Sequence, residues 1–127
     1  MPDAYVDALL QALAGFSAAL PGPPDTVYFG GGTPSLLTPA QVERLLAAAA
    51  PRSGAEVTLE ANPETVTLEQ LRGYRAAGVN RLSIGVQSAR DSQLRTLGRP
   101  HTARQAAAAF EMARQAGFAN ISGDIML

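Results

Sequence analysis

The sequence contains no cysteine and no lysine, and its only histidine is His101. Without cysteine the chain cannot form a disulfide, a thiolate zinc site or a thiol nucleophile, and it cannot ligate an iron–sulfur cluster by itself. Without lysine a Walker-type mononucleotide loop is excluded. A single imidazole cannot make a metal site, so we predict no metal site in this chain.

The sequence also lacks an excess of charge of either sign and a long hydrophobic run. Ten basic residues, all of them arginine, stand against eleven acidic residues, which gives a net charge of −1. This balance excludes the basic surface expected of a protein that binds nucleic acid or an anionic membrane. The start of the chain has no basic region, and Asp3 and Asp7 interrupt its apolar residues. We therefore expect no signal peptide and no membrane span, and a cytoplasmic location.

Length and composition indicate one domain or part of one. The chain has 127 residues, of which 46% are hydrophobic and 17% are charged. It is therefore able to bury a core and does not have the composition of a disordered protein. A complete (β/α)₈ barrel needs about 250 residues and is excluded.

Apolar periodicity and turn residues predict helices and strands in alternation. Thr38, Thr67 and Thr102 each precede a predicted helix and are followed three residues later by glutamine, which is the capping-box pattern. Gly78 and Gly117 each follow an alanine-rich stretch and mark a helix end. The alternation, with about 30 residues per βαβ unit, indicates an α/β fold with a parallel sheet and right-handed crossovers. The predicted elements are a helix at 3–20, a strand at 26–30, a helix at 39–50, a strand at 56–60, a helix at 67–77, a strand at 81–86, helices near 89–97 and 102–116, and a strand at 120–126.

Each predicted strand leads into glycine or a polar residue at its carboxyl end. The first strand runs into the loop Gly30–Thr33, and the following strands deliver Glu60, Gln87 and Asp124. Counted from Gly31, the successive intervals are 29, 27 and 37 residues, about one βα unit each. Ligands of parallel α/β sheets bind beyond the carboxyl ends of the strands. We therefore expect these groups to meet around one small molecule.

Each of these groups also has a purely structural interpretation. Three consecutive glycines form either a flexible turn or a loop whose amides bind an anion. Glu60 is either a partly exposed loop acid or a carboxylate that needs a partner, and the same choice applies to the strand-end glutamine. Asp124 is flanked by Ile121, Ile125 and Leu127, which predicts a buried acid, and a buried acid in a strand is a candidate functional group.

The segment Gly98–His101 follows a short predicted helix. On pattern alone Arg99 is a surface residue. His101 is interpreted in the same way, as an exposed loop residue or a neighbour of the next helix cap. The pattern by itself assigns neither residue to a site.

Five segments, in chain order, resemble the radical S-adenosylmethionine (SAM) proteins of the oxygen-independent coproporphyrinogen III oxidase family. The Asn62-Pro63 pair and the segment Gly98–His101 are closer to the HemW branch of that family, whose members are haem chaperones, than to the true oxidases. The five matching segments are Val27–Ser35, Leu59–Pro63, Val79–Ser88, Leu97–His101 and the strand that ends at Asp124.

The resemblance implies a fold, two cofactors and a set of site residues. The fold would be part of a (β/α)₆ partial TIM barrel. The cofactors would be SAM and a [4Fe-4S] cluster, which passes an electron to SAM so that a carbon–sulfur bond breaks and a 5′-deoxyadenosyl radical forms. Arg99 would pair with the carboxylate of SAM, and Gln87 and Asp124 would bind ribose hydroxyls. The corresponding SAM-binding residues are Gly31, Gly32, Thr33, Glu60, Gln87, Arg99 and Asp124.

The absence of cysteine has a specific meaning within this family. The resemblance implies that the three-cysteine cluster motif lies on a strand ahead of residue 1 and that further sequence, including a haem-binding region, follows Asp124. We therefore expect residues 1–127 to be a partial radical SAM core that cannot ligate the cluster. The sheet edges left unpaired would promote self-association of the isolated chain.

Three functions are compatible with the resemblance. The leading one is a HemW-like protein that binds haem or a porphyrin and delivers it, a carrier rather than a catalyst. The second is oxidative decarboxylation of coproporphyrinogen III to protoporphyrinogen IX. The third is an inactive truncated product.

Overall fold

The computed structural model describes residues 1–126, in which strands and helices alternate. Every predicted element is present, with its ends within two residues of the predicted ones. A 3₁₀ turn at Pro34–Leu36, which the periodicity did not predict, follows the glycine loop. The strands are β1 (Thr26–Phe29), β2 (Glu56–Ala61), β3 (Arg81–Gln87) and β4 (Asn120–Ile125), and the helices are α1 (Asp3–Ala19), α2 (Pro39–Ala49), α3 (Leu68–Ala77), α4 (Asp91–Thr96) and α5 (Ala103–Gln115).

Side-chain caps fix three of the helix starts. Thr38 and Thr102 form complete capping boxes with the glutamines three residues later. Thr67 caps α3 by accepting a hydrogen bond from the Gln70 amide at 3.2 Å. The Gln70 side chain donates instead to the Ser35 carbonyl at 2.6 Å. It therefore ties the start of α3 to the 3₁₀ turn behind the glycine loop.

The four strands form one parallel sheet in the order β1-β2-β3-β4. In register, Val27 lies beside Val57, and Leu59 lies beside Leu82. With strands in sequential order, right-handed crossovers place the connecting helices on the same face of the sheet. The predicted parallel α/β arrangement is confirmed.

The two faces of the sheet differ in polarity because residues alternate along each strand. Leu59, Leu82 and Ile84 point to one face, are at most 1% exposed and pack in the main core with residues of α2, α3 and α5. The side chains between them in sequence belong to the opposite face, which carries polar groups. Glu60 and Ser83 are register partners on that polar face. The apolar face holds the fold together, and the polar face is available for a site.

β1 and β4 are the edges of the sheet. Large apolar side chains are exposed near both edges, including Phe16 at 72% and Ile125 at 68%. Within residues 1–126, no helix combines the length and the apolar character that a bilayer span requires.

Candidate functional site

Four polar side chains, one from each strand, form a connected group that we call the polar cluster: Tyr28, Glu60, Ser83 and Asp124. The Tyr28 hydroxyl donates to Glu60 Oε1 at 2.8 Å. The Ser83 hydroxyl donates to Asp124 Oδ2 at 3.1 Å. Because Glu60 and Ser83 are register partners on adjacent strands, the two hydrogen-bonded pairs are neighbours. The predicted site residues Glu60 and Asp124 therefore belong to one group.

The Glu60 carboxylate changes the acidity of Tyr28. Their hydrogen bond raises the pKa of the phenol above its usual value, and partial burial and the negative charges of Glu60 and Asp124 act in the same direction. The nearby Ser83 hydroxyl acts weakly the other way. Tyr28 therefore stays a hydrogen-bond donor at neutral pH. It fixes one oxygen of Glu60, and the other oxygen makes no hydrogen bond to the part of the chain that the structure describes.

The prediction that Asp124 is a buried acid is wrong. Asp124 is exposed, as is its neighbour Ile125. Apolar neighbours in sequence bury a strand residue only when other strands or helices cover it, and β4 is an edge strand. Leu127, another of the apolar neighbours, lies outside the described residues. The Asp124 carboxylate is thus open to solvent and to a ligand.

The glycine loop passes directly beside Glu60. A Cβ placed on Gly30 would lie 3.4 Å from Glu60 Oε1. Gly31 has a φ of 89°, in the left-handed region that favours glycine. A Cβ on Gly31 or Gly32 would have no neighbour within 4 Å, so the loop is open on that side. Thr33, at the end of the loop, is half-buried.

Gln87 lies at the carboxyl end of β3 in an unusual backbone conformation. Its φ is 67°, and the Ser88 amide donates to the Val86 carbonyl at 2.8 Å. This hydrogen bond closes a three-residue γ-turn of the rare, positive-φ type. The Gln87 amide Nε2 folds back over Gly85, 3.2 Å from where a Cβ on that residue would lie. The side chain of Asn62 is close to the same point, at 3.7 Å.

The structure places Arg99 and His101 in different environments. The Arg99 side chain is exposed and makes no hydrogen bond or ion pair within residues 1–126. The prediction that His101 is exposed is wrong, because the residue is 4% exposed. Its Nε2 lies 2.9 Å from the Val86 carbonyl, and its Nδ1 lies 3.4 Å from Glu64 Oε2. Contacts with the end of β3 and with the loop after β2 bury the ring, and the local sequence gives no signal of them.

The predicted site residues therefore fall into two groups. The glycine loop, Glu60 and Asp124 are connected directly or through the polar cluster, and Gln87 lies at the end of the strand between β2 and β4. Within residues 1–126 the Arg99 side chain makes no hydrogen bond or ion pair with any of them, although its loop is joined to the end of β3 by His101.

Tyr28 and Ser83 also belong to this site, and the sequence interpretation missed them. Tyr28 lies between two apolar residues, Val27 and Phe29, in the strand predicted at 26–30. Alternation along a strand places Tyr28 on the face opposite its neighbours, and this signal identifies it. The same alternation places Ser83 on the polar face, between two buried apolar residues.

The donor set fits a small molecule that carries ammonium, hydroxyl and carboxylate groups. The Glu60 and Asp124 carboxylates accept hydrogen bonds from ammonium and hydroxyl groups, and the guanidinium of Arg99 matches a carboxylate. The glycine loop lets a ligand approach the backbone closely. The donor set does not fit an iron–sulfur cluster, because the chain has no cysteine. Residues 1–126 contain no group of three histidine, aspartate or glutamate side chains that would hold a metal ion.

The model of the radical SAM superfamily matches residues 4–127. The chain belongs to the radical SAM superfamily. Within it, the sequence and structural relatives place the radical SAM chain in the HemN/HemW-like family.

The radical SAM chain is similar to curated proteins over nearly its whole length. The heme chaperone HemW of Bacillus subtilis is 40% identical over 131 residues, which cover 98% of this chain and 34% of that protein. The heme chaperone HemW of Escherichia coli is 40% identical over 129 residues, with 98% of this chain and 34% of that protein covered. The mitochondrial radical S-adenosyl methionine domain-containing protein 1 of Bos taurus is 46% identical over 107 residues, which cover 81% of this chain and 24% of that protein. The chain spans about a third or less of the length of these relatives.

Solved structures agree with the fold of the radical SAM chain. The coproporphyrinogen III oxidase HemN from Escherichia coli, described as a radical SAM enzyme, superposes with a TM-score of 0.83 at 32% identity. The match covers 97% of this chain and 30% of HemN. The cobalamin-dependent radical enzyme OxsB matches with a TM-score of 0.63 at 18% identity over 94% of this chain and 19% of its own, which supports the fold alone. The predicted α/β fold of the radical SAM type is confirmed.

Proposed function

We propose that this chain is part of a HemW-like radical SAM protein that binds haem and delivers it. The support is its similarity to proteins named heme chaperone HemW. We also propose that residues 1–127 are a partial core domain, without the strand that carries the cluster motif and without the carboxyl-terminal portion. The proposed SAM-binding residues are Gly31, Gly32, Thr33, Glu60, Gln87, Arg99 and Asp124.

The contact between the glycine loop and the polar cluster is the observation that supports the proposed SAM site. Gly30 lies against Glu60, and one oxygen of that carboxylate accepts the hydrogen bond from Tyr28. The second oxygen is left to accept a hydrogen bond from an ammonium group held beside the loop. Asp124, held by Ser83 and open to solvent, is suited to bind ribose hydroxyls.

The role assigned to the chain is to bind and orient SAM. When bound, SAM would supply radical chemistry, and the residues proposed above would hold it. This chain has no thiolate to hold the cluster. We therefore assign it no cleavage step, and we expect SAM affinity to be weak when the cluster iron does not contribute.

Calorimetric titration of the chain with SAM tests the site. Glu60→Gln keeps the size of the side chain and removes its charge. A charge-assisted hydrogen bond contributes about 1.5–3 kcal/mol, so the SAM affinity should fall roughly tenfold to a hundredfold. Glu56→Gln is the matched control, because Glu56 lies on the same strand and face at the opposite end. Equal affinity for the Glu60 variant and the wild type would remove Glu60 from the site.

The oxidase alternative is supported by the likeness to HemN. Titration of a full-length protein that carries this chain with haem, and separately with coproporphyrinogen III under anaerobic conditions, distinguishes the functions. Preferential binding of haem supports the carrier. Preferential binding of coproporphyrinogen III supports the oxidase, and failure to bind either tetrapyrrole or SAM supports an inactive product.

A further inference from the structure

The buried histidine joins two loops and the end of β3 at the carboxyl end of the sheet. His101 itself lies between α4 and α5, on the loop that carries Arg99. Its Nε2 is 2.9 Å from the carbonyl of Val86 in β3. Its Nδ1 is 3.4 Å from Glu64 Oε2, on the loop between β2 and α3. The side chain of His101 is 2% exposed, and that of Glu64 is 23% exposed, so these contacts are shielded from bulk water.

The Val86 carbonyl belongs to the strained turn at Gln87. It accepts a hydrogen bond from the Ser88 amide at 2.8 Å as well as the contact from His101. A non-glycine residue with a φ of 67° is disfavoured, and such a conformation persists only when its surroundings enforce it. On the other side of the turn, the Gln87 carbonyl accepts from the Met126 amide at 3.0 Å. The turn is therefore held by β4 on one side and by His101 on the other.

This turn determines where the Gln87 side chain lies. The amide of Gln87 folds back over Gly85 towards Asn62. Asn62 belongs to the same loop as Glu64. The positive φ at Gln87 turns the side chain back over Gly85, whereas an extended backbone would carry it onward along the strand, beyond Gly85 on the same face.

We propose that His101 is a positioning residue for the cofactor site. Its Nε2–H donates to the Val86 carbonyl, and this hydrogen bond keeps Gln87 in the turn from which its amide faces the site. His101 does not itself touch the cofactor. The proposal rests on the proposed function, because Gln87 acts as a cofactor ligand only if SAM binds at this end of the sheet.

Two amide variants of His101 distinguish a positioning role of its hydrogen bond from a role in which the side chain only fills space. In His101→Gln the side-chain amide N–H reaches about as far as Nε2 and keeps the donor to Val86. In His101→Asn the shorter amide reaches only as far as Nδ1, so the donor to Val86 is lost. Asn80→Ala is the stability control: Asn80 hydrogen-bonds Val57 and Ala55 at the opposite, amino end of the strands, far from the turn.

Two readouts on the full chain test the proposal. NMR couplings report φ at Gln87, and amide hydrogen exchange reports the Ser88 hydrogen bond, both without cofactor. Calorimetry with SAM reports affinity. We expect His101→Asn to lose the positive φ, to expose the Ser88 amide and to bind SAM about tenfold more weakly, which corresponds to about 1.4 kcal/mol. His101→Gln and Asn80→Ala should keep both the turn and the affinity.

The possible failures are distinguishable. A turn that persists unchanged in His101→Asn overturns the positioning role, as does a tenfold loss of affinity in His101→Gln. Equal loss of affinity in Asn80→Ala and His101→Asn also overturns it, since general destabilisation would then be sufficient. If the wild-type chain does not bind SAM, the proposed function fails, and the NMR measurements still decide whether His101 holds the turn.

Discussion

At the scale of single residues, the polar cluster depends on the phenol at position 28. Tyr28 lies on an edge strand and is 56% exposed, yet its hydroxyl reaches the carboxylate of the neighbouring strand. A phenylalanine would have the same shape without the hydrogen bond. The phenol therefore fixes the orientation of Glu60, and it leaves one carboxylate oxygen for a ligand.

The acidity of Tyr28 provides a direct test of this contact. The pKa of the phenol is raised above 10.0, chiefly by the hydrogen bond to Glu60. Because the pKa is higher in the folded than in the unfolded chain, the contribution to stability is fully present below pH 10.0 and is lost as the pH rises through the folded pKa. In Glu60→Gln the pKa of Tyr28 should fall towards 10.0, since the charge that opposes ionisation is gone.

Titration of ¹³C-labelled tyrosine rings by NMR measures this pKa, and Tyr28→Phe assigns the signal. If Tyr28 titrated at the same pH in the wild type and in Glu60→Gln, the hydrogen bond would not exist in solution.

At the scale of elements, α3 packs closely against the first turn of α2. A Cβ on Gly73 would lie 2.5 Å from Pro39 Cγ and 2.9 Å from Pro39 Cβ. Pro39 is the first residue of α2 and follows its threonine cap, so its position is fixed by the helix start. Close contact between the two helices therefore requires glycine in the middle of α3, although glycine has a low helix propensity.

Gly73→Ala should therefore destabilise the chain, although alanine is the better helix former. Overpacking costs about 1–3 kcal/mol, whereas the gain in helix propensity is about 1 kcal/mol. Gly15→Ala is the matched control in α1, since a Cβ there has no neighbour within 4 Å. It should stabilise the chain by up to about 1 kcal/mol. Urea unfolding of both variants measures the difference, and equal stabilisation by the two would refute the close contact.

At the scale of the whole molecule, the sequence predicts the order of elements well but predicts exposure poorly. Caps and periodicity are local, so they locate the helices, the strands and the residues at the strand ends. Exposure depends on what packs above each strand and loop. Asp124 is exposed because β4 is an edge, and His101 is buried because its loop meets the end of β3 and the loop after β2. Both facts depend on the assembled sheet, and neither is visible in a short window of sequence.

The two sheet edges lead to the prediction that the isolated chain self-associates. Within residues 1–126, β1 and β4 each have one free edge, and exposed edges of parallel sheets pair readily with other chains. An open, mainly apolar groove of about 480 Å³ lies between α1 and β1, with Tyr5, Leu9 and Phe16 among its lining residues. Burial of such apolar surface favours association. Sedimentation velocity over a concentration series should thus give an average mass above the 13.2 kDa of one chain.

Charged substitutions at the edges separate this cause from general aggregation. Phe16→Asp places a charge in the groove, and Ile125→Asp places one on β4, at side chains that are 72% and 68% exposed. Neither change removes a core contact, so the fold should survive while the average mass falls towards that of one chain. Gln115→Asp, at the exposed end of α5, adds the same charge away from both edges and should not change the mass. A wild-type chain that sediments as a monomer at every concentration would contradict the prediction, and it would mean that four parallel strands with two open edges are stable and soluble by themselves.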